Sequence, residues 1–181
     1  SLDFISGLSQ MDAILGNDEK LIDDIARAVS DLDPAFVALV RTPVPLMTGT
    51  DFEGIARQIE DRCRIPAVAF ATTGMQTYVK GVGMALEAVA AMVPDVDKSG
   101  EPDPVPGLAL VGATPLDLSV GRTVDSLKEW AKDRGYRIKC SLAMGSSREE
   151  IDRIGQADVS LVITSAGLPA ARVLRERFGI P

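Results

Sequence analysis

The sequence has 181 residues, of which 46% are hydrophobic and 4% aromatic, so one large core or two small ones must be built mainly from aliphatic side chains. Its 19 basic and 26 acidic residues give a net charge of −7, which argues against a nucleic-acid surface, and no apolar stretch has the length of a membrane span or the form of a signal peptide. The absence of histidine excludes Ser-His-Asp and Cys-His catalysis and histidine-based zinc sites, and the two cysteines, Cys63 and Cys140, cannot supply the four thiolates of an iron–sulfur cluster.

The first half of the chain is predicted to alternate between helices and strands. Apolar periodicity and short apolar runs predict a helix over 16–32, a strand over 34–40, a helix opening at Thr50, a strand over 65–73 and a helix over 78–92. Thr50 is followed three positions later by Glu53, which is the pattern of a capping box. The segment 94–106 is rich in proline, glycine and charge, and this composition predicts a linker.

The second half repeats the same scheme. Strands are predicted at 107–113, 136–144 and 158–166, and helices at 123–134, after Ser147 with Glu150 as its capping partner, and through Ala170, Leu174 and Phe178. Strands separated by helices of this length favour parallel sheets joined by right-handed crossovers. We therefore predict an α/β fold of two Rossmann-like three-layer α/β/α units with parallel sheets. Residues 1–93 form the first domain, 94–106 the linker, and 107–181 a truncated second domain.

Small and hydroxylated residues follow each predicted strand, at the edge where parallel sheets usually bind ligands. They are Thr42, Thr72–Thr73–Gly74, Gly112–Ala113–Thr114, Met144–Gly145–Ser146–Ser147 and Ser165–Ala166–Gly167. Such residues suit an anion or a polar cofactor edge, but they also serve as helix caps and turn formers, and both interpretations stay open. Neither the dinucleotide fingerprint nor the P-loop pattern occurs. Cys63 continues an apolar helical stripe and Cys140 lies within a predicted strand, so both are predicted to be core residues, and their small number predicts a reducing, cytoplasmic setting.

Six stretches in chain order resemble one family. They are "MDAILGNDEKLIDDI", "PAFVALVRTPVPLMTGTDFEGIARQIE", "RIPAVAFATTGMQTYVKGVGMAL", "GLALVGATPLD", "SREEIDRIGQADVSLVITS" and "AARVLRERFGIP". They are similar to successive motifs of the nitrogenase component 1 (nitrogenase molybdenum-iron protein-like) family, including its Gly-bearing helix and closing "fGiP" segment. Each motif is loose by itself, but together they cover nearly the whole chain in the right order.

The resemblance implies a subunit with three Rossmann-like domains, of which this sequence holds about two. Because it begins at Ser1 without a methionine, we expect a piece of a longer chain. Such subunits pair with a second subunit, hold an iron–sulfur cluster between them, and bind a metal cluster or tetrapyrrole in the cleft between domains. They receive electrons from an ATP-dependent iron protein. No nucleic-acid or membrane partner is expected.

The chain departs from the family at three chemically demanding positions. Thr42-Pro43 stands where the family has a cluster-binding cysteine after threonine, and Lys80 and Met84 align with a cofactor-facing glutamine and histidine. The segment 163–165, Ile-Thr-Ser, stands near the cysteine that anchors the cofactor in the catalytic subunit. None of these residues is a soft thiolate or imidazole ligand. The resemblance therefore implies no catalytic residue and no metal ligand in this chain.

What remains is a cofactor-binding cleft lined by Thr42, Thr48, Thr73, Gly74 and Lys80, in an oxidoreductase subunit or a cofactor-assembly scaffold whose metal is ligated elsewhere. The piece alone is not expected to be active. Two alternatives stay open: a non-enzymatic two-lobed module that binds a chelate, and a structural pseudo-subunit that supports a cluster-bearing chain.

Overall fold

The structure, a computed structural model, describes residues 18–40, 50–97, 103–118 and 122–181. The chain forms two compact units, Ser1–Gln76 and Thr77–Pro181. Within the described ranges, no helix is both long enough and apolar enough to cross a membrane.

The first unit contains two helices and a parallel pair of strands. They are α1 (Asp18–Leu32), β1 (Val37–Val40), α2 (Phe52–Cys63) and β2 (Ala67–Phe70). β1 and β2 pair in parallel from Val37 opposite Ala67 to Val40 opposite Phe70. The apolar stripes of both helices share one core with the strand residue Leu39, and the helix residues in that core are Leu21, Ile22, Ile25, Ile55, Ala56 and Ile59. The predicted helices and strands of this half are confirmed, although both strands are shorter than their apolar runs.

The helix α2 is capped by a different residue from the one predicted. Asp51, and not Thr50, is the N-cap, and its Oδ1 accepts a hydrogen bond from the Gly54 N–H at 2.9 Å. Both residues carry a side-chain oxygen, and the backbone at Asp51 is the one that turns into the helix. The predicted capping box of Thr50 and Glu53 is therefore wrong: the helix is capped one position later, and Gly54 has no side chain that could complete a box with Asp51.

The second unit contains a three-stranded parallel sheet. Its elements are α3 (Tyr78–Ala91), β3 (Gly107–Val111), α4 (Arg122–Asp133), β4 (Arg137–Leu142), α5 (Arg148–Asp152), β5 (Val159–Val162) and α6 (Leu168–Phe178). The strand order is β4-β3-β5, and both pairings are parallel. All five residues of the central strand β3 are buried, which is why its sequence is a continuous apolar run. The predicted parallel α/β architecture is confirmed.

Helices cover both faces of this sheet. Ala109 and Val111 lie in one core with Leu86 and Ala90 of α3 and with residues of α6. Leu108 and Leu110 alternate with them and therefore point to the opposite face, where α4 packs beside β4. The short α5 begins with the predicted capping box, in which Ser147 and Glu150 exchange side-chain to backbone hydrogen bonds.

The division between the units lies before α3, whereas the predicted linker, 94–106, lies after it. The reason is the packing of α3 along α6. A Cβ atom built at Gly83 would lie only 3.2 Å from Pro169 Cγ, so the two helices approach closely where α3 has no side chain. In the structure the last helix of the domain predicted at 1–93 thus belongs to the second unit, as do the described parts of the predicted linker, 94–97 and 103–106.

Candidate functional site

Two of the five predicted cofactor-binding residues, Thr42 and Thr48, lie outside the described residues. Thr73 and Gly74 follow β2 in the first unit. Thr73 Oγ1 accepts a hydrogen bond from the Met75 N–H at 3.3 Å, and Gly74 has a φ of 71°, which favours glycine. These contacts form a local turn, as the turn-forming interpretation expects.

Lys80 lies in the first turn of α3, in the second unit. Its backbone N–H donates to Thr77 Oγ1 at 3.4 Å, so Thr77 caps this helix. Lys80 itself is exposed. The positive charge of Lys80 is therefore accessible to solvent near the start of α3, in the second unit. Thr73 and Gly74 belong to the first unit.

The carboxyl edge of the second sheet is closed by two glycines. Gly112 has a φ of +86°, and a Cβ atom there would lie 3.0 Å from the Gly167 nitrogen. A Cβ atom at Gly167 would lie 2.8 Å from the Val111 carbonyl oxygen. The hydroxyl of Thr164 donates to the Gly112 carbonyl oxygen at 2.9 Å. The predicted glycines after β3 and β5 thus allow two backbone segments to touch, which accounts for them without a ligand.

Beside these glycines lies a polar network that the sequence analysis missed. The Tyr78 hydroxyl and Thr114 Oγ1 are 2.7 Å apart, and Thr114 Oγ1 donates to Asp117 Oδ2 at 2.7 Å. Thr114 is only 4% exposed, and its carbonyl oxygen also accepts from the Asp117 and Leu118 N–H groups. Thr114 was predicted as an edge residue, but Tyr78 is 36 positions away from it, and no local pattern joins the two.

The hydroxyl groups after β4 make hydrogen bonds within their own loop and at the start of α5. Ser146 Oγ accepts from the Ser141 N–H at 2.7 Å, and Ser147 caps α5. Cys140, beside them, is 1% exposed, and burial raises its pKa from 9.0 to about 11, although a hydrogen bond with Ser146 opposes the shift. Such a thiol stays protonated and is a poor nucleophile and metal ligand. The prediction that Cys140 belongs to the core is confirmed.

Metal-binding geometry is not found in the part of the chain that the structure describes. No group of three or more Cys, Asp or Glu side chains there could hold an ion. Cys63 is half-buried in the first unit and Cys140 is buried in the second. The described side chains therefore do not fit a metal cluster as its ligands.

A small cavity lies at the carboxyl edge of the first unit's sheet. Its volume is about 160 Å³, and it is lined by residues 50–53 and 69–71. Cofactor pockets usually span about 300 to 1,000 Å³, so this depression is too small to hold one.

Comparison with known proteins identifies the family. The sequence model described as "Nitrogenase component 1 type Oxidoreductase" matches residues 4–181. The chain is 24% identical to the nitrogenase iron-molybdenum cofactor biosynthesis protein NifE of Bradyrhizobium diazoefficiens, over 98% of this chain and 32% of that protein. It is also 24% identical to a subunit of the light-independent protochlorophyllide reductase of Nostoc punctiforme, over 92% of this chain and 34% of that protein.

A solved structure shares the fold. The structure titled "Nitrogenase Cp1 at pH 5" superposes with a TM-score of 0.71 at 21% identity, over 98% of this chain and 35% of the other. The chain thus spans about a third of the length of the proteins it matches. With the family model matching nearly all of the sequence, the chain belongs to the nitrogenase component 1 type oxidoreductase family.

Proposed function

We propose that this chain is part of a nitrogenase-like component 1 subunit that binds a metal cluster or tetrapyrrole in the cleft between its domains. Thr42, Thr48, Thr73, Gly74 and Lys80 line that cleft, and Lys80 offers its positive charge to an anionic group of the cofactor. The subunit pairs with a second nitrogenase-like subunit and receives electrons from an ATP-dependent iron protein. Membership of the family supports this role, and its relatives include both a reductase subunit and a cofactor-biosynthesis protein.

One observation supports a location of the metal ligands outside this piece. The sequence has Thr42-Pro43 and Ile163-Thr164-Ser165 where the resemblance implies soft ligands, and Cys140 is buried with a raised pKa. Oxygen atoms of threonine and serine are poor ligands for iron–sulfur clusters, which thiolates hold. We therefore propose that the partner subunit, or sequence beyond this piece, supplies the metal ligands.

The test is anaerobic purification of the full-length protein with and without the subunit encoded beside it, followed by iron analysis and visible absorption. We expect iron and visible absorption in the complex. The double variant Cys63→Ser/Cys140→Ser should keep its iron content if neither thiol is a ligand. Lys80→Gln should lower cofactor retention several-fold, whereas Lys132→Gln, an exposed lysine on α4, should not. A colourless, iron-free complex would contradict the proposal.

A second candidate is a structural pseudo-subunit, favoured by the same substitutions at 42–43 and 163–165. It predicts that iron is present in the complex and that Lys80→Gln leaves cofactor retention unchanged. The same purification therefore separates the two functions.

A further inference from the structure

The strand β5 has one edge that the described sheet does not use. The strand order β4-β3-β5 places β5 at the end of the sheet, and within the described ranges only β3 pairs with it. Backbone groups alternate in direction along a strand, and the Ile163 N–H donates to the Val111 carbonyl oxygen of β3 at 2.9 Å. The backbone N–H and C=O groups of Ser160 and Val162 therefore point away from β3, and they form the free edge of β5.

One hydrogen bond is already made at this free edge. The Ser160 N–H donates to the carbonyl oxygen of Pro181 at 2.8 Å. Pro181 follows α6, so the chain returns from this helix to the side of β5 that faces away from β3. Its carbonyl oxygen takes the position that a neighbouring strand would provide.

The same contact begins two of the parallel pairings in the molecule. The Val37 N–H donates to the carbonyl oxygen of Pro66 at 2.9 Å, and the Arg137 N–H donates to that of Pro106 at 2.9 Å. Each proline stands immediately before a strand, where the N–H that it lacks is not needed. In both cases the residue after the proline lies opposite the donor, and these pairs are Val37 with Ala67 and Arg137 with Gly107.

The exposure of β5 is consistent with a missing neighbour. All five residues of the central strand β3 are buried, whereas every residue of β5 is at least partly exposed and Val159 is 40% exposed. The sequence of β5, Val-Ser-Leu-Val, is mostly apolar, as in strands that parallel sheets bury. An open edge on such a strand is also a template for unwanted pairing with other chains, so native proteins usually cover it.

We propose that the segment following Pro181 in the full-length protein occupies the free edge of β5 as a fourth parallel strand. By the register of the two proline-led pairings, the first residue after Pro181 lies opposite Ser160 and the third lies opposite Val162. A continuing chain is supported by the relatives, because this chain covers only 32% of the matched NifE protein and 35% of the matched nitrogenase chain. The inference concerns the sheet alone and does not rest on the proposed function.

Amide hydrogen exchange of the full-length protein tests the pairing, measured at single residues by mass spectrometry with electron-transfer fragmentation. In the proposed ladder the Val162 N–H donates to the carbonyl oxygen of the second residue after Pro181. We expect this amide to exchange at least about a hundredfold more slowly than in the unfolded chain. Ser160 and Ile163 are internal controls, because their N–H groups are bonded to Pro181 and Val111 whether or not the strand is added.

Two substitutions at the second residue after Pro181 assign the protection to this segment. The N–H of that residue would donate to the Ser160 carbonyl oxygen, and proline removes this N–H whereas alanine keeps it. We expect proline to accelerate the exchange of Val162 about tenfold and alanine to change it by less than about twofold. Slow exchange of Ile163 in both variants checks that β5 still pairs with β3.

Several results would overturn the inference. Fast exchange of Val162 in the full-length protein would show that its N–H group has no strand beside it, whatever the exchange of Ser160 and Ile163. Equal effects of proline and alanine would show that the segment after Pro181 does not make the contact. Protection of Val162 that appears only when the partner subunit is added would assign the edge to that subunit. None of these results depends on the iron content of the complex, so the proposed function is tested separately.

Discussion

At the scale of single residues, Cys140 shows how burial controls chemistry. Its thiol lies on β4 in the core with Leu142 and Ala109, so ionisation would place a charge where water is excluded. The sequence alone predicts that Cys140 is a core residue, since it lies within a predicted strand. The raised pKa depends on how completely α3 and α6 cover that face, which the pattern of one strand does not show.

This burial makes stability depend on alkaline pH. The pKa of Cys140 rises from 9.0 to about 11, so between these values the folded protein binds more protons than the unfolded chain. The free energy of unfolding should therefore be fully retained below about pH 9 and fall by about 2 to 3 kcal/mol as the pH rises to about 11. Urea unfolding at intervals from pH 8 to 11 measures this slope.

Two cysteine variants control for other groups that titrate in the same range. Cys140→Ala should flatten the additional alkaline slope, and Cys63→Ala should keep it. Identical slopes in the wild-type protein and Cys140→Ala would show that Cys140 has no part in the pH dependence.

Local hydrogen-bonding patterns were predictable at this scale only where neighbours in sequence make them. Ser147 and Glu150 are three positions apart and form the expected capping box. Thr50 and Asp51 both offer oxygen atoms, and the choice between them depends on backbone angles. The contact between Tyr78 and Thr114 joins α3 to the loop after β3, so it follows only from the packed fold.

At the scale of elements, one arginine ties the end of α6 to the end of α3. Arg177 Nη1 donates to the carbonyl oxygens of Ala91 at 2.7 Å, Val93 at 2.8 Å and Ala90 at 3.3 Å. Its Nη2 pairs with Asp95 Oδ1 at 2.9 Å. The last carbonyls of a helix have no partner within the helix, so this guanidinium satisfies groups that would otherwise need water.

We expect Arg177→Ala to lower the free energy of unfolding by about 2 kcal/mol, because hydrogen bonds from a charged donor are lost. Most of this comes from the carbonyl contacts, since Asp95 is 95% exposed and a solvated ion pair contributes little. Arg177→Lys should be intermediate, because an ammonium reaches fewer of these oxygens. Urea unfolding at neutral pH measures all three proteins.

Arg175→Ala is the matched control. Arg175 lies in the same last turn of α6, and its side chain has no hydrogen-bond or ion-pair partner within the described ranges. Its loss should change the free energy of unfolding by less than about 0.5 kcal/mol. If both substitutions had the same effect, the contacts of Arg177 would contribute nothing specific.

Helix positions were predicted closely and strand lengths less well. The helix predicted at 78–92 is observed at Tyr78–Ala91, because its period and its cap lie in its own sequence. The strand predicted at 34–40 begins only at Val37, opposite Ala67 of β2. A strand extends only as far as its neighbour pairs with it, and an apolar run contains no information about the neighbour.

At the scale of the whole molecule, the assignment of α3 shows what composition leaves undetermined. Proline and glycine between 94 and 106 suggested a domain boundary after this helix. The structure groups α3 with the second unit, where Leu86 and Ala90 enter the core formed with Ala170 and Leu174. The apolar stripe of α3 predicts that the helix is buried, but either neighbouring sheet could have buried it.

Gly83 provides a direct test of this assignment. A side chain at Gly83 would press against Pro169 of α6, whereas nothing lies within 4 Å of a Cβ atom at Gly81, two positions earlier on the same helix. Both substitutions to valine change helix propensity equally, so their difference reports the packing of α3 on α6. We expect Gly83→Val to lower the free energy of unfolding by about 2 kcal/mol relative to Gly81→Val, as overpacking does.

Trp130 is the sole tryptophan and lies on α4 of the second unit, so its fluorescence during urea unfolding follows the unit that this contact should stabilise. A double-mutant cycle adds a second criterion, because Pro169→Ala removes the atom nearest to the new side chain and should recover part of the loss in Gly83→Val. Equal midpoints for Gly81→Val and Gly83→Val would place α3 away from α6. The predicted domain linker at 94–106 would then again be supported, since α3 could belong to the first unit.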